Sequence, residues 1–520
     1  MQRAQRFCFG FRPFVPLLAM RSKKVLLLLV AFVVVAVWVL ATRDPDEKLA
    51  DDLLRREQSR QSTVTTDSQA GLYAPEMFQL TNRLVVEKED GRNVWQIVAK
   101  GDRSSVRVPF VPENNLTLEQ PSMANRGSES KETPTDSQVS SEATAETALD
   151  SVDPSSKSAS FVGAQACAEC HQEKHSGFVH TAHHVTSAWM GDTEVHGEFS
   201  GEKSRLATKD PDLSFRMFRE GDQYVQQVDF ADWSLDVPMN VVTGSAKTGQ
   251  SFLYWHDDAL FQAHVSYLTE LDEWIPSPGY PDTVAEYTRV IRPACLECHM
   301  TYIDLTRPPN HYDPSSAIWG ISCERCHGPG SSHVDFHREN PNEKSAKYIA
   351  HPSDFSRQRQ LELCGQCHSG LFKLLQDPFS YRPGEELAKF HLQNDPGQEG
   401  VGGIHTSNQL NRLSMSACFQ SSEMTCTSCH NPHQDQHGNT AVFTQACLEC
   451  HQPEHCGMSD ELGARVSDNC VNCHMPRGDN ENMTLQVSGG TFTVQMIDHY
   501  IRVDRDATAA WLQENASAGE

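Results

Sequence analysis

The sequence predicts a mainly α and irregular domain, organised by cysteine motifs more than by a large apolar core. It adds a small antiparallel β insert between the first two motifs and an N-terminal transmembrane helix. Three observations carry this expectation. Hydrophobic residues make up only 38% of 520, and mean hydropathy is −0.51, lean for a chain of this length. Cysteine and histidine are over-used, at 17 and 24, and fourteen of the cysteines fall in one repeated pattern, Cys-x-x-Cys-His. Finally, an uncharged run from Val25 to Ala41 follows a basic segment.

Residues 1–42 hold that basic segment (Arg3, Arg6, Arg12, Arg21, Lys23 and Lys24) and the apolar run. As a helix the run is long enough to cross most of a bilayer, and its basic flank stays in the cytoplasm, so the remainder is exported. A cleaved signal peptide ending at Val39-Leu-Ala41 is the alternative, and it exports the chain equally. Residues 43–160 read as a polar tether. Within it, 71–112 carries short apolar alternations, such as Asn93 to Val98, consistent with a small β element. The stretch from Pro112 to Ser160 is rich in Ser, Thr, Glu and Ala, too poor in apolar surface to offset the entropy of ordering.

The motif-bearing domain spans 161–502, followed by a tail at 503–520. Its β insert, about 195–290, contains two hairpins. Leu213–Phe218 and Tyr224–Phe230 flank Glu220-Gly-Asp222, and Ser251–Trp255 and Leu260–Tyr267 flank His256-Asp-Asp258. Elsewhere, density in Gly and Pro predicts short helical turns and loops.

The seven motifs are Cys167-Ala-Glu-Cys170-His171, Cys295-Leu-Glu-Cys298-His299, Cys323-Glu-Arg-Cys326-His327, Cys364-Gly-Gln-Cys367-His368, Cys426-Thr-Ser-Cys429-His430, Cys447-Leu-Glu-Cys450-His451 and Cys470-Val-Asn-Cys473-His474. Cysteines at i and i+3 lie on one face of a helical turn. Each can form a thioether to a haem vinyl group, and the following histidine then reaches the iron from the same side. Seven c-type haems (iron) are therefore expected, with His171, His299, His327, His368, His430, His451 and His474 as proximal ligands. The porphyrins stand in for the missing apolar core. Zinc is the rival reading of Cys-x-x-Cys pairs, but zinc sites do not need a histidine directly after every pair. Three cysteines remain. Cys8 precedes the apolar run, while Cys418 and Cys456 lie in the motif region and could pair in an oxidising compartment.

The local contexts of the motifs resemble those of cytochrome c-552/c-554-like multihaem c-type cytochromes, over residues 161 to 500. The resemblance rests on Cys167 to His171 followed by Phe178-Val-His-Thr-Ala-His183, on Cys323-Glu-Arg-Cys-His-Gly-Pro-Gly-Ser-Ser-His333, on Cys426-Thr-Ser-Cys-His-Asn-Pro-His433, and on Cys470-Val-Asn-Cys-His-Met-Pro476. It implies that histidines just past a motif ligate another motif's haem, which points to His183, His333 and His433 as distal ligands. His499 occupies a similar place after the last motif. His351, His405 and His455, each shortly before a motif, are further distal candidates. The chain departs from enzymatic relatives in having no Cys-x-x-Cys-Lys motif and no tyrosine assignable to a cross-linked catalytic haem.

The expected function is electron transfer through seven covalent haems on the extracytoplasmic, or periplasmic, side of a membrane, with no catalytic residue assigned. The alternative is an oxidoreductase on small nitrogen or sulfur compounds through one five-coordinate haem. Redox partner proteins follow from either reading, a membrane quinol oxidase or a periplasmic reductase being the classes in view. A third reading makes the chain the electron-accepting subunit of such an enzyme. The net charge of −25 excludes a nucleic-acid partner, which would need clustered Lys and Arg.

Overall fold

The structure, a computed structural model, describes residues 83–89, 92–98, 105–110, 159–231, 233–394 and 402–515. All of them fall in one compact unit, Leu80–Glu520. The expected mainly α and irregular architecture is corrected: helix and strand each make up about 30% of the structure, and there are several sheets. Among the described residues no helix is long and apolar enough to cross a membrane. The run Val25–Ala41, to which a transmembrane helix was assigned, lies outside those residues, as do Cys8 and nearly all of the polar stretch after Phe110.

Three strands precede the motifs: β1 (Arg83–Glu89), β2 (Arg92–Val98) and β3 (Ser105–Val108). After the first motif come β4 (Ser187–Trp189), β5 (Arg205–Ala207), β6 (Leu213–Glu220), β7 (Gln223–Phe230), β8 (Trp233–Met239), β9 (Val241–Thr243), β10 (Gly249–His256), β11 (Ala259–Leu268), β12 (Glu273–Pro276) and β13 (Val284–Glu286). β6 and β7 form one antiparallel hairpin and β10 and β11 a second, with Asp257 at φ 53° in the turn, a conformation Asp tolerates.

Strands also occur where loops were expected, which is why the fold class changes. β14 (Met300–Arg307) and β15 (His311–Trp319) follow the second motif directly; β16 (Phe372–Leu374) and β17 (His391–Gln393) follow the fourth; β18 (Arg477–Val487) and β19 (Gly490–Ile497) follow the seventh. The helices are short, because a motif needs only one turn. The longest among the described residues, Arg357–His368, has 12 residues.

The largest sheet runs β14-β15-β11-β10-β9-β4, with β12 also on β11. β11 sits in its interior and is buried at nine of ten positions. A strand covered on both faces shows no polar–apolar alternation. β5-β6-β7-β8 forms a second sheet, and β1-β2-β3-β13 a third, closed by parallel pairing of β3 with β13. One core joins all three: Val106 and Val108 of β3 pack with Phe215, Phe230, Tyr254 and Tyr287. Its buried polar groups are partnered. The Tyr254 hydroxyl donates to Tyr287 O, Tyr287 donates to Gln226 Oε1 at 2.9 Å, and Gln226 also bonds the Val265 backbone. His264, one of the histidines outside the motifs, belongs here: it stacks on Phe215 at 4.6 Å and accepts from Glu286 N. Burial pushes its imidazole down to about 3.

A second cluster ties the large sheet to the motifs. It contains Leu253, Leu260 and Tyr312 of the sheet together with Leu296 and Met300 at the second motif. Gly320, at φ 66°, closes this junction. A Cβ there would run into the backbone carbonyl of His184. Gly320→Ala is therefore expected to destabilise the chain by about 2–4 kcal/mol, read as a lower guanidinium midpoint by circular dichroism.

Candidate haem site

Every motif folds locally as one turn. The fold closes it with a bond from the histidine N–H back to the first cysteine: His171 N to Cys167 O at 2.9 Å, His430 N to Cys426 O at 3.0 Å, His451 N to Cys447 O at 2.9 Å and His474 N to Cys470 O at 3.0 Å. Helices Pro293–His299, Cys323–His327 and Arg357–His368 hold the second, third and fourth motifs. Ser322 caps the third, its hydroxyl accepting from Glu324 N.

The turns are packed against one another. The helix of motif 1 touches that of motif 3, motif 2 touches motif 4, motif 4 touches motif 5, and motif 6 touches motif 7. Thiols meet at each junction: Cys167 with Cys323, Cys298 with Cys367, Cys364 with Cys426, and Cys447 with Cys470. These sulfurs stand in for the thioethers of the haem-bearing protein. Cys418 and Cys456 are both free, so the disulfide weighed from sequence is not formed.

Histidine rings from distant segments face motif histidines. His333 lies 6.3 Å from His171 with planes 20° apart, His433 lies 6.1 Å from His327 at 21°, and His499 lies 6.1 Å from His430 at 16°. His183 lies 6.1 Å from His368, at 60°. Two metal–nitrogen bonds of about 2 Å, plus about 1 Å from each nitrogen to its ring centre, span about 6 Å. The spacing thus fits one iron between each pair.

Hydrogen bonds set the tautomers. The Nδ1 atoms of His327, His368, His474 and His333 face the carbonyls of Ala350 (2.9 Å), Thr406 (2.7 Å), Arg502 (2.9 Å) and Lys347 (2.8 Å). A carbonyl only accepts, so Nδ1 carries the proton and Nε2 keeps its lone pair for a metal. Burial, then the neighbouring His368 and His430 rings, pushes His183 down to about 4; burial, then His430, does the same to His499. Both rings are neutral at pH 7, as ligation requires.

The other candidates are placed differently. Nδ1 of His405 accepts from Ser407 N at 3.0 Å, which leaves the proton on Nε2. Nδ1 of His351 bonds the Ser353 hydroxyl at 2.7 Å, and His455 ends a short 3-10 turn, Pro453–His455. Among the described residues no histidine ring stands across from His299, His451 or His474. His299 is held instead by Thr186, whose hydroxyl lies 3.3 Å from Nδ1, and by Ser187, which donates to its carbonyl.

Several residues that support the site carry no signal in the sequence. Glu297 and Arg325 occupy variable positions of the second and third motifs, yet form an ion pair 1% and 5% exposed. Arg325 also donates to Glu297 O at 2.9 Å, and the Cys367 thiol sits 3.7 Å from the same carbonyl. Glu324, likewise buried, accepts the N–H groups of Val162, Gly163 and Gly330, each at 2.8 Å, which binds the entry to motif 1 onto motif 3. Asp498, beside His499, is gripped by Arg412 at 2.7 and 2.8 Å and by Arg502 at 2.7 Å. Burial raises its carboxyl, but the arginine bonds outweigh this and hold it below the usual range.

A repeated Cys-x-x-Cys-His turn, with Nε2-directed imidazoles paired across an iron-sized gap, defines a haem c protein. Zinc would need three or more ligand side chains converging on one point, and no such group occurs among the described residues. Comparison with known proteins agrees. Residues 281–328 match the family "Cytochrome c554 and c-prime". The chain is also similar to multiheme cytochrome MtrA of Shewanella baltica (strain OS185), 28% identical over 239 residues, covering 38% of this chain and 70% of that protein. No solved structure matches. The family match and this relative together support a multihaem c-type cytochrome family for the chain. Its cofactor is c-type haem, and electron transport is its class of work.

Proposed function

We propose that each of the seven motifs binds a haem and that the chain conducts electrons among them outside the cytoplasm, between redox partner proteins. The observation that carries this reading is the set of four imidazole pairs at 6.1–6.3 Å, a spacing that would close four irons to substrate. Bound haem supplies a one-electron iron couple. The chain's own contribution is to hold the rings, fix their tautomers and pack motif against motif, so that neighbouring sites lie in contact. His183, His333, His433 and His499 are the distal ligands of this reading. The similarity to a multiheme cytochrome supports an extracytoplasmic site.

Intact mass with a pyridine haemochrome assay tests the count: seven haems are expected, and fewer would reject the assignment. His333→Met and His433→Met should each shift one midpoint potential and one low-spin signal with haem content unchanged. An unaltered spectrum would remove that residue as a ligand.

Among the described residues His299, His451 and His474 have no facing ring, which favours a second reading, an oxidoreductase on a small nitrogen or sulfur compound through one five-coordinate haem. A high-spin ferric signal would support it. Wholly low-spin spectra would reject it.

A further inference from the structure

We propose that Trp255 and Trp319 donate their indole N–H groups to the propionate carboxylates of the haem attached at Cys295 and Cys298, making the large sheet the wall of that one site. The inference rests on the reading that this motif binds haem.

The sheet reaches motif 2 directly. Ser187 of β4 donates to the His299 carbonyl, and Trp189 lies two residues further along that strand. Met300, next to His299, is in register with Trp319 of β15. Trp189 then contacts Trp319 edge-on at 5.3 Å and Trp255 of β10 at 6.4 Å. All three indoles pack against the cluster that contains Leu296 and Met300.

Within this apolar group, Nε1 of Trp255 and Nε1 of Trp319 are both buried with no hydrogen-bond partner. An indole N–H can only donate. Leaving one buried and unpaired costs about 1–3 kcal/mol, and here two such donors lie on one apolar cluster. Trp274 shows the ordinary arrangement, its Nε1 donating to Glu198 O at 3.2 Å. The Trp255 and Trp319 donors therefore await an acceptor from outside the polypeptide. A c-type haem brings two carboxylates, one for each donor, and its attachment cysteines lie on the helix against which these tryptophans pack. This haem would thus be held by the large sheet, while four others would be faced by histidines that follow other motifs.

The test uses the full haem-loaded chain with Trp255→Phe, Trp319→Phe and, as control, Trp274→Phe. Phenylalanine keeps a ring in place and removes only the donor. Haem content is measured first; a wild-type chain lacking haem on motif 2 would reject the attachment reading itself, separately from this one. With haem content equal, Trp255→Phe and Trp319→Phe should each move one resolved midpoint potential downward, because a less compensated carboxylate favours ferric iron. They should also shift a propionate band in the redox-difference infrared spectrum, and Trp274→Phe should do neither. Unmoved propionate bands in both variants would overturn the proposal. So would an indole Raman band that reports a water as the acceptor while the carboxylates stay unchanged.

Discussion

Arg325→Leu lowers the stability of the haem-loaded chain by about 3–5 kcal/mol, the usual cost of leaving one partner of a buried ion pair without the other. Glu297 is 1% exposed, and its carboxylate also accepts from Phe379 N. Without the guanidinium it would sit as a charge in a medium that cannot solvate it. The damage concentrates at one point, because Glu297 belongs to motif 2, Arg325 to motif 3, and the Cys367 thiol of motif 4 lies against the Glu297 carbonyl. The double variant Glu297→Leu with Arg325→Leu should recover much of the loss, since replacing both charges removes the penalty together with the bond. Guanidinium unfolding followed by circular dichroism, with haem content checked by mass, measures both. A loss under about 1 kcal/mol for the single variant would place the pair among solvent-screened surface bridges, against its burial.

The pair also shows which parts of the site could be read from sequence. The attachment turns could, because Cys-x-x-Cys-His is local: two thiols and an imidazole on one turn need no other part of the chain. The packing partners could not. Glu297 and Arg325 fill positions that the motif leaves open, and only the approach of motif 2 to motif 3 makes them meet. The facing rings behave likewise. His171 and His333 are far apart in the chain, and spacing alone does not say which motif ring His333 will face. Resemblance points to His183, His333 and His433 as a class, and in the fold each faces the ring of a motif histidine. Tautomer is a further layer: His405 and His333 both lie outside the motifs, but a backbone N–H on one Nδ1 and a carbonyl on the other give them opposite proton positions.

The fold class was misjudged for a related reason. β18 reads Arg-Gly-Asp-Asn-Glu-Asn-Met-Thr-Leu-Gln-Val, with little of the β-branched alternation that marks a strand. It pairs with β19, and Leu485 and Val494 then pack on Leu268 and Ile275 of the large sheet. Such a strand is stabilised by its tertiary surface, not by its own propensity. β11, buried on both faces, hides its period in the opposite way, by being apolar almost throughout.

Val106→Asp tests the most distant of these tertiary links, and its expected result is release of β1–β3 from the β domain. Val106 is fully buried among Phe215, Tyr254 and Tyr287, and β3 is held by pairing with β13, including Tyr287 N to Arg107 O at 3.0 Å. A buried carboxylate without a partner costs several kcal/mol. The apolar side chains that dock these strands, Val94, Val106 and Val108, contribute about 1.5–3 kcal/mol each before ordering entropy is subtracted. The two magnitudes are similar, so undocking the strands relieves the charge at less expense than unfolding the whole unit. Hydrogen exchange should show lost protection at Ser105 and Tyr287, with the motif turns still protected and haem content unchanged. Val106→Ala, which leaves a cavity but no charge, should cost about 2–3 kcal/mol and keep the strands docked. If Val106→Asp instead unfolded the motif turns as well, β3 would be part of the cooperative core that carries the haems. Wild-type exchange at Tyr287 in that variant would mean that Val106 does not pack there at all.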